Sequence, residues 1–149
     1  MKNLFATPDR NEILGRLQRL EPGALRHWGK MDSAQMLAHC AVAMEMATGD
    51  APREQKLIGK LLGPLFKKKT LGPEPFPRNS PTDPAFVVSD PRDFAKEKAR
   101  LMALVLRFGE AGPAPADGRM HSFLGRLKGD EWGVMMHKHL DHHLRQFGA

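Results

Sequence analysis

Apolar residues recur at helical spacing in four separate segments of this chain, and no stretch of useful length alternates as a strand does. The first segment opens at Thr7-Pro8-Asp9, where proline takes an early helical position and an acid follows. Ile13, Leu14, Leu17 and Leu20 share one face, and Glu21-Pro22-Gly23 ends it. The second opens at Asp32-Ser33, where Asp32 and Gln35 have capping-box spacing, and runs to Thr48 before Gly49. The third starts at Asp90-Pro91, carries Phe94, Leu101, Leu104, Val105 and Phe108, and closes at Gly109 and Gly112-Pro113. The fourth opens near Asp130 and runs almost to Gly148. Ala85-Phe86-Val87-Val88 is the best strand candidate, but it is short and set among prolines. The expected fold is all-α: an up-down four-helix bundle in a single domain over residues 1–149.

The connection between the second and third of these helices is long for a bundle, about forty residues. Its second half, residues 71–91, holds six prolines and is expected to be stiff and extended, lying across the bundle as a strap or lid. Its first half, Lys56 to Lys69, is amphipathic and basic, with Leu57, Ile58, Leu61, Leu62, Leu65 and Phe66. Such a segment can touch a membrane surface. Gly59, Gly63 and Pro64 weaken it as a helix, so a short broken helix packed over the bundle, or onto a second subunit, is the expectation.

Composition narrows the setting. A chain of 149 residues with 41% apolar content can bury one core. Cys40 is the single cysteine, which excludes an intrachain disulfide and a cysteine-rich zinc finger. No apolar run reaches about 18 residues, so no membrane span is expected. Met1 to Thr7 lacks an apolar signal-peptide core, and a cytoplasmic location is the expectation. Lys and Arg exceed Asp and Glu by 23 to 17, but the basic residues are scattered and only Lys67-Lys68-Lys69 forms a run. Specific nucleic-acid binding is therefore not expected.

Seven histidines remain to be placed. On the fourth helix Trp132, Met136, Leu140 and Phe147 define the apolar face, and His139 and His143 fall inside it. His137, Lys138, Asp141 and Arg145 fall opposite, and His142 lies at the margin. His139 and His143 are one turn apart, a spacing that lets two imidazoles converge on one ion. No Glu follows the first of them, so the zinc-protease signature is absent. On the second helix His39 lies on the shoulder of the face made by Met36, Leu37, Cys40, Ala43, Met44 and Ala47. Taken alone, His39 also fits a core histidine bonded to a carbonyl. Together the three fit a metal site with an open position. His142 is the second-choice ligand, because a small rotation of the helix exchanges it for His143. Cys40 sits about 100° round from His39, as a nucleophile, a fourth ligand or a buried apolar filler. Gln146 and Cys40 are the candidates for supporting the ligands from behind.

Met36-Leu37-Ala38-His39-Cys40, with His139, His143 and Gln146, resembles the DinB/YfiT-like superfamily, and most of all the DUF1569 family. Trp28-Gly29-Lys30-Met31, Arg78-Asn79-Ser80, Glu131-Trp132-Gly133 and the run from His139 to Phe147 carry the likeness, which covers nearly the whole chain. The resemblance implies a four-helix bundle, a three-histidine metal site made of His39, His139 and His143, and a homodimer. It also implies chemistry like that of thiol-dependent transferases that use bacillithiol, mycothiol or glutathione. The superfamily commonly ends in Arg-Gly-Gln after the last histidine. Here Leu144-Arg145-Gln146 stands there, with Gln146 in register.

The expected function is that of a metal-dependent enzyme. Its divalent ion, for which Zn, Ni and Fe are equally suited by all-nitrogen ligands, activates water or a low-molecular-weight thiol for small-molecule transfer or hydrolysis. The alternative is a non-catalytic metal-binding or interaction bundle.

Overall fold

A computed structural model describes residues 1–80 and 83–149; Pro81, one of the six strap prolines, lies outside the described residues. Among the described residues five α-helices form: α1 Thr7–Arg19, α2 Ser33–Thr48, α3 Leu57–Thr70, α4 Phe94–Ala111 and α5 Gly129–Gln146. Two short 3-10 turns, Pro84–Phe86 and Ala114–Ala116, and a two-stranded antiparallel sheet complete the elements. In that sheet β1, Met120–His121, pairs with β2, Gly125–Arg126.

The helix boundaries follow local chemistry. Asp32 Oδ1 accepts a hydrogen bond from the Gln35 backbone N–H, and the Asp32 backbone N–H donates to Gln35 Oε1, closing the capping box. Gly49 then ends α2 in the left-handed region at φ 86°, where a Cβ is costly. Asp93 caps α4 through the Lys96 N–H. The strand candidate Ala85–Val88 forms no strand: its first two residues lie in the 3-10 turn Pro84–Phe86, which Asp83 caps and Pro84 opens.

Helices α1, α2, α4 and α5 build the core. α2 packs against α4 and α5, and α1 packs against the same two helices. Leu4, Ile13, Leu17, Leu37, Met44, Leu101, Val105, Trp132 and Leu140 meet between them, all essentially sealed from water. Most methionines of the helices fill this core: Met36, Met44, Met46, Met135 and Met136 are buried.

Two expectations are corrected here. His137 was placed on the outer face of the last helix, yet it is buried. The reason is that α5 is flanked by both α1 and α2, so a second side of the helix is covered. On that side Arg16 of α1 pairs with Asp141 at 2.7 Å and donates to the Ala149 backbone oxygen. The second correction is α3. It is a continuous 14-residue helix despite Pro64, and not a broken one. It rests on the β1–β2 hairpin through Gly59 and Gly63, not through its leucines.

Candidate metal centre

Helix α2 supplies His39, and α5 supplies His139 and His143. The capping box fixes where α2 begins and so sets the rotation that turns His39 inward. On α5 the apolar residues Trp132, Met136 and Leu140 are buried, and this carries His139 and His143 to the same side. His39 and His143 are buried and His139 is partly buried. One nitrogen from each of the three lies within 4.8 Å of the others, close enough to hold a metal ion. The ring centroids are 5.0 Å apart for His39 and His139, 4.7 Å for His39 and His143, and 4.8 Å for His139 and His143.

Hydrogen bonds fix which nitrogen of each ring is free. His39 Nδ1 donates to the Phe86 carbonyl at 2.8 Å, so its Nε2 carries a lone pair. His143 Nδ1 donates to Gln146 Oε1 at 2.9 Å, which leaves its Nε2 free in the same way. Gln146 is itself held, since its amide Nε2 donates to the Trp28 carbonyl at 2.7 Å. His139 Nε2 lies 3.0 Å from His39 Nε2, while its Nδ1 is buried without a partner. His139 therefore carries its proton on Nε2 and donates to His39. For a cation to be held there, that proton would move to His139 Nδ1 and the Nε2 lone pair would face the ion. Ligand nitrogens on a tetrahedral ion at about 2.0–2.1 Å are themselves about 3.3 Å apart, so the spacing fits. The fit rests on the convergence of one nitrogen from each of the three rings.

The electrostatics suit ligation. Burial holds His143 down to about 3, reinforced by His39 and offset by the Gln146 bond. Burial holds His39 below its ordinary value, partly offset by the Phe86 bond. Burial, followed by the neighbouring imidazoles, holds His139 well below it. All three are neutral at neutral pH, so no net proton release is needed for a cation to bind, only a shift of the His139 proton away from Nε2.

The same burial makes stability pH-dependent. An unfolded imidazole protonates near 6.5, whereas His121 is held at about 4 and His143 at about 3 in the fold. Below 6.5 the unfolded chain therefore binds protons that the folded one refuses. Stability is full above that value and is lost as pH falls toward 4 and then 3. Each such histidine contributes a loss of up to about 1.4 kcal/mol per pH unit. Urea midpoints of the metal-free protein are expected to drop steeply between about pH 6.5 and pH 4; a flat profile there contradicts the neutral buried rings.

The remaining residues fall into place around this group. His142, the second-choice ligand, lies against Trp28 and Phe76 with ring centroids 5.6 and 6.0 Å away, and it is not in the converging set. Cys40 is buried with its thiol toward the Met36 sulfur at 3.8 Å, and burial raises its pKa far above the range of a reactive thiolate. Gln146 is where support from behind was expected, on His143. The Phe86 carbonyl has no sequence signature, because any residue offers one. Trp28 did carry a signal, as part of Trp28-Gly29-Lys30-Met31. Its role is to hold Gln146, and Arg78 lies over its ring at 4.5 Å. His121 accepts from the Phe123 and Leu124 backbone N–H groups and braces the hairpin.

A family model described as "Protein of unknown function (DUF1569)" matches residues 2–149. No curated protein and no solved structure matches the chain.

Proposed function

The chain belongs to the DUF1569 family, whose function is unknown, and from that premise we propose that it is a metal-dependent enzyme of the DinB/YfiT-like type. In this reading α1, α2, α4 and α5 are the four-helix bundle, and His39, His139 and His143 hold a divalent ion, Zn, Ni or Fe. Bound there, such an ion lowers the pKa of a water or thiol in its open position and so supplies a nucleophile for small-molecule transfer or hydrolysis. The observation that carries the reading is the convergence of three neutral imidazoles on one point. The chain's own residues do the positioning. The Phe86 carbonyl and Gln146 set the tautomers of His39 and His143, and Trp28 sets Gln146. Three protein ligands leave one tetrahedral position for a reactant.

The group contains no carboxylate to serve as a general base, and this favours the second reading, a non-catalytic metal-binding protein. Elemental analysis of the untagged protein separates the outcomes. About one divalent ion per chain is expected, with affinity reduced about 10–100-fold in Gln146→Ala. A protein that is metal-free and cannot be loaded with Zn, Ni or Fe overturns both readings. A loaded protein is then assayed with small thiols and model electrophiles. Turnover that disappears on chelation and returns on reloading selects the enzyme, and inertness selects the second reading.

A further inference from the structure

Helix α3 has the opposite polarity to the other four helices. Its packed side is Gly59 and Gly63, where an added Cβ would sit 2.6 and 2.5 Å from the Phe123 carbonyl oxygen. These glycines are its buried residues. Leu62 is half-buried and the Phe66 ring lies 5.7 Å from that of Phe123, but four large apolar side chains point away from the protein: Leu57 is 82% exposed, Leu61 79%, Leu65 74% and Ile58 58%. At about 100° per residue these four share an arc of about 100°. Lys69 stands about 20° outside one edge of that arc and Lys60 about 60° outside the other, and Lys68 stands within it. The helix carries no acidic residue. Lys67 is committed to Glu131 at 2.7 Å, but Lys60, Lys68 and Lys69 make no salt bridge among the described residues.

We propose that α3 is an interfacial helix that docks this protein onto an anionic lipid bilayer. The exposed leucines enter the headgroup boundary, and the lysine ammonium groups at the rim reach the lipid phosphates along their own apolar stems. Charge complementarity chooses this occupant. Pairing the face with a second copy brings Lys60, Lys68 and Lys69 of both chains together, with no carboxylate on either helix to offset them. A span is excluded by length, since 14 residues reach only about 21 Å against a core of about 30 Å. The glycine contacts explain why the face stays outside. They seat the helix backbone so close to the hairpin that no Cβ fits at Gly59 or Gly63, and Leu57, Ile58, Leu61 and Leu65 lie on the side opposite these glycines. The net charge of +6 adds long-range attraction toward the same surface.

The test is co-sedimentation of the full chain with phosphatidylcholine vesicles, pure or containing about one third phosphatidylglycerol. Binding to the anionic vesicles alone is expected. The variant Lys60→Gln/Lys68→Gln/Lys69→Gln should weaken it about 100-fold, and Leu61→Glu/Leu65→Glu more than about tenfold. All five side chains are exposed, so helical content and metal content should match the parent in both variants. No binding to anionic vesicles overturns the proposal. So does binding that ignores the leucine variant, which is electrostatic adhesion without insertion. Concentration-dependent dimers that the leucine variant abolishes, with no vesicle binding, also overturn it and assign the face to a second copy.

Discussion

Replacing His143 with alanine is expected to lower divalent-metal affinity by at least about 100-fold, more than loss of an outer contact costs, while the helices stay folded. His143 offers its Nε2 to the group, and Gln146 holds its Nδ1. Truncation removes the ligand and leaves Gln146 Oε1 buried without its donor. His39 and His139 remain, and two imidazoles bind an ion weakly. His143→Asn retains more of the side-chain volume and should lose affinity equally, which separates loss of a ligand from loss of packing. His142→Ala is the informative comparison. Its ring lies against Trp28 and Phe76, so this variant should keep its metal. Titration calorimetry with Zn and Ni decides between them. Retention of metal by His143→Ala, with loss in His142→Ala, exchanges the two in the ligand set.

Trp132→Ala is expected to destabilise the metal-free protein by about 3–5 kcal/mol, lowering its melting temperature by about 6–20 °C. Trp132 is fully buried in the first turns of α5. Its ring lies 5.5 Å from that of His121, and its Nε1–H donates to the Arg119 carbonyl at 3.3 Å. One side chain therefore ties α5 to the hairpin. Metal must be absent in the measurement, because a ligand bound only to the folded state raises the apparent stability. A shift below about 3 °C would mean that the surroundings collapse into the space the indole leaves.

The two effects draw on information of different visibility. The capping box at Asp32 and Gln35 is local, so the start of α2 and the facing of His39 could be read from four residues. His139 and His143 were legible because α-helical geometry places residues one turn apart on one side. His137 was not, because a wheel divides a helix into one dry and one wet face, while α5 has α1 on one flank and α2 on the other. α3 was misread for a related reason. Glycine propensity predicts a broken helix, whereas the close approach of Gly59 and Gly63 to the Phe123 carbonyl is long-range, invisible to any propensity. The tautomer of His39 depends on a backbone carbonyl 47 positions away, which no side-chain pattern announces.

The distance along the chain between the ligands has a kinetic consequence. His39 and His139 are 100 positions apart. An ion held as proposed would be a staple across most of the polypeptide, and closing so long a loop is entropically costly until the intervening helices have compacted. During synthesis α2 emerges well before α5, with one lone imidazole to offer. In the proposed metal site, capture would thus come late in maturation, and the ion would act as a latch on a finished fold, not as the seed around which it condenses.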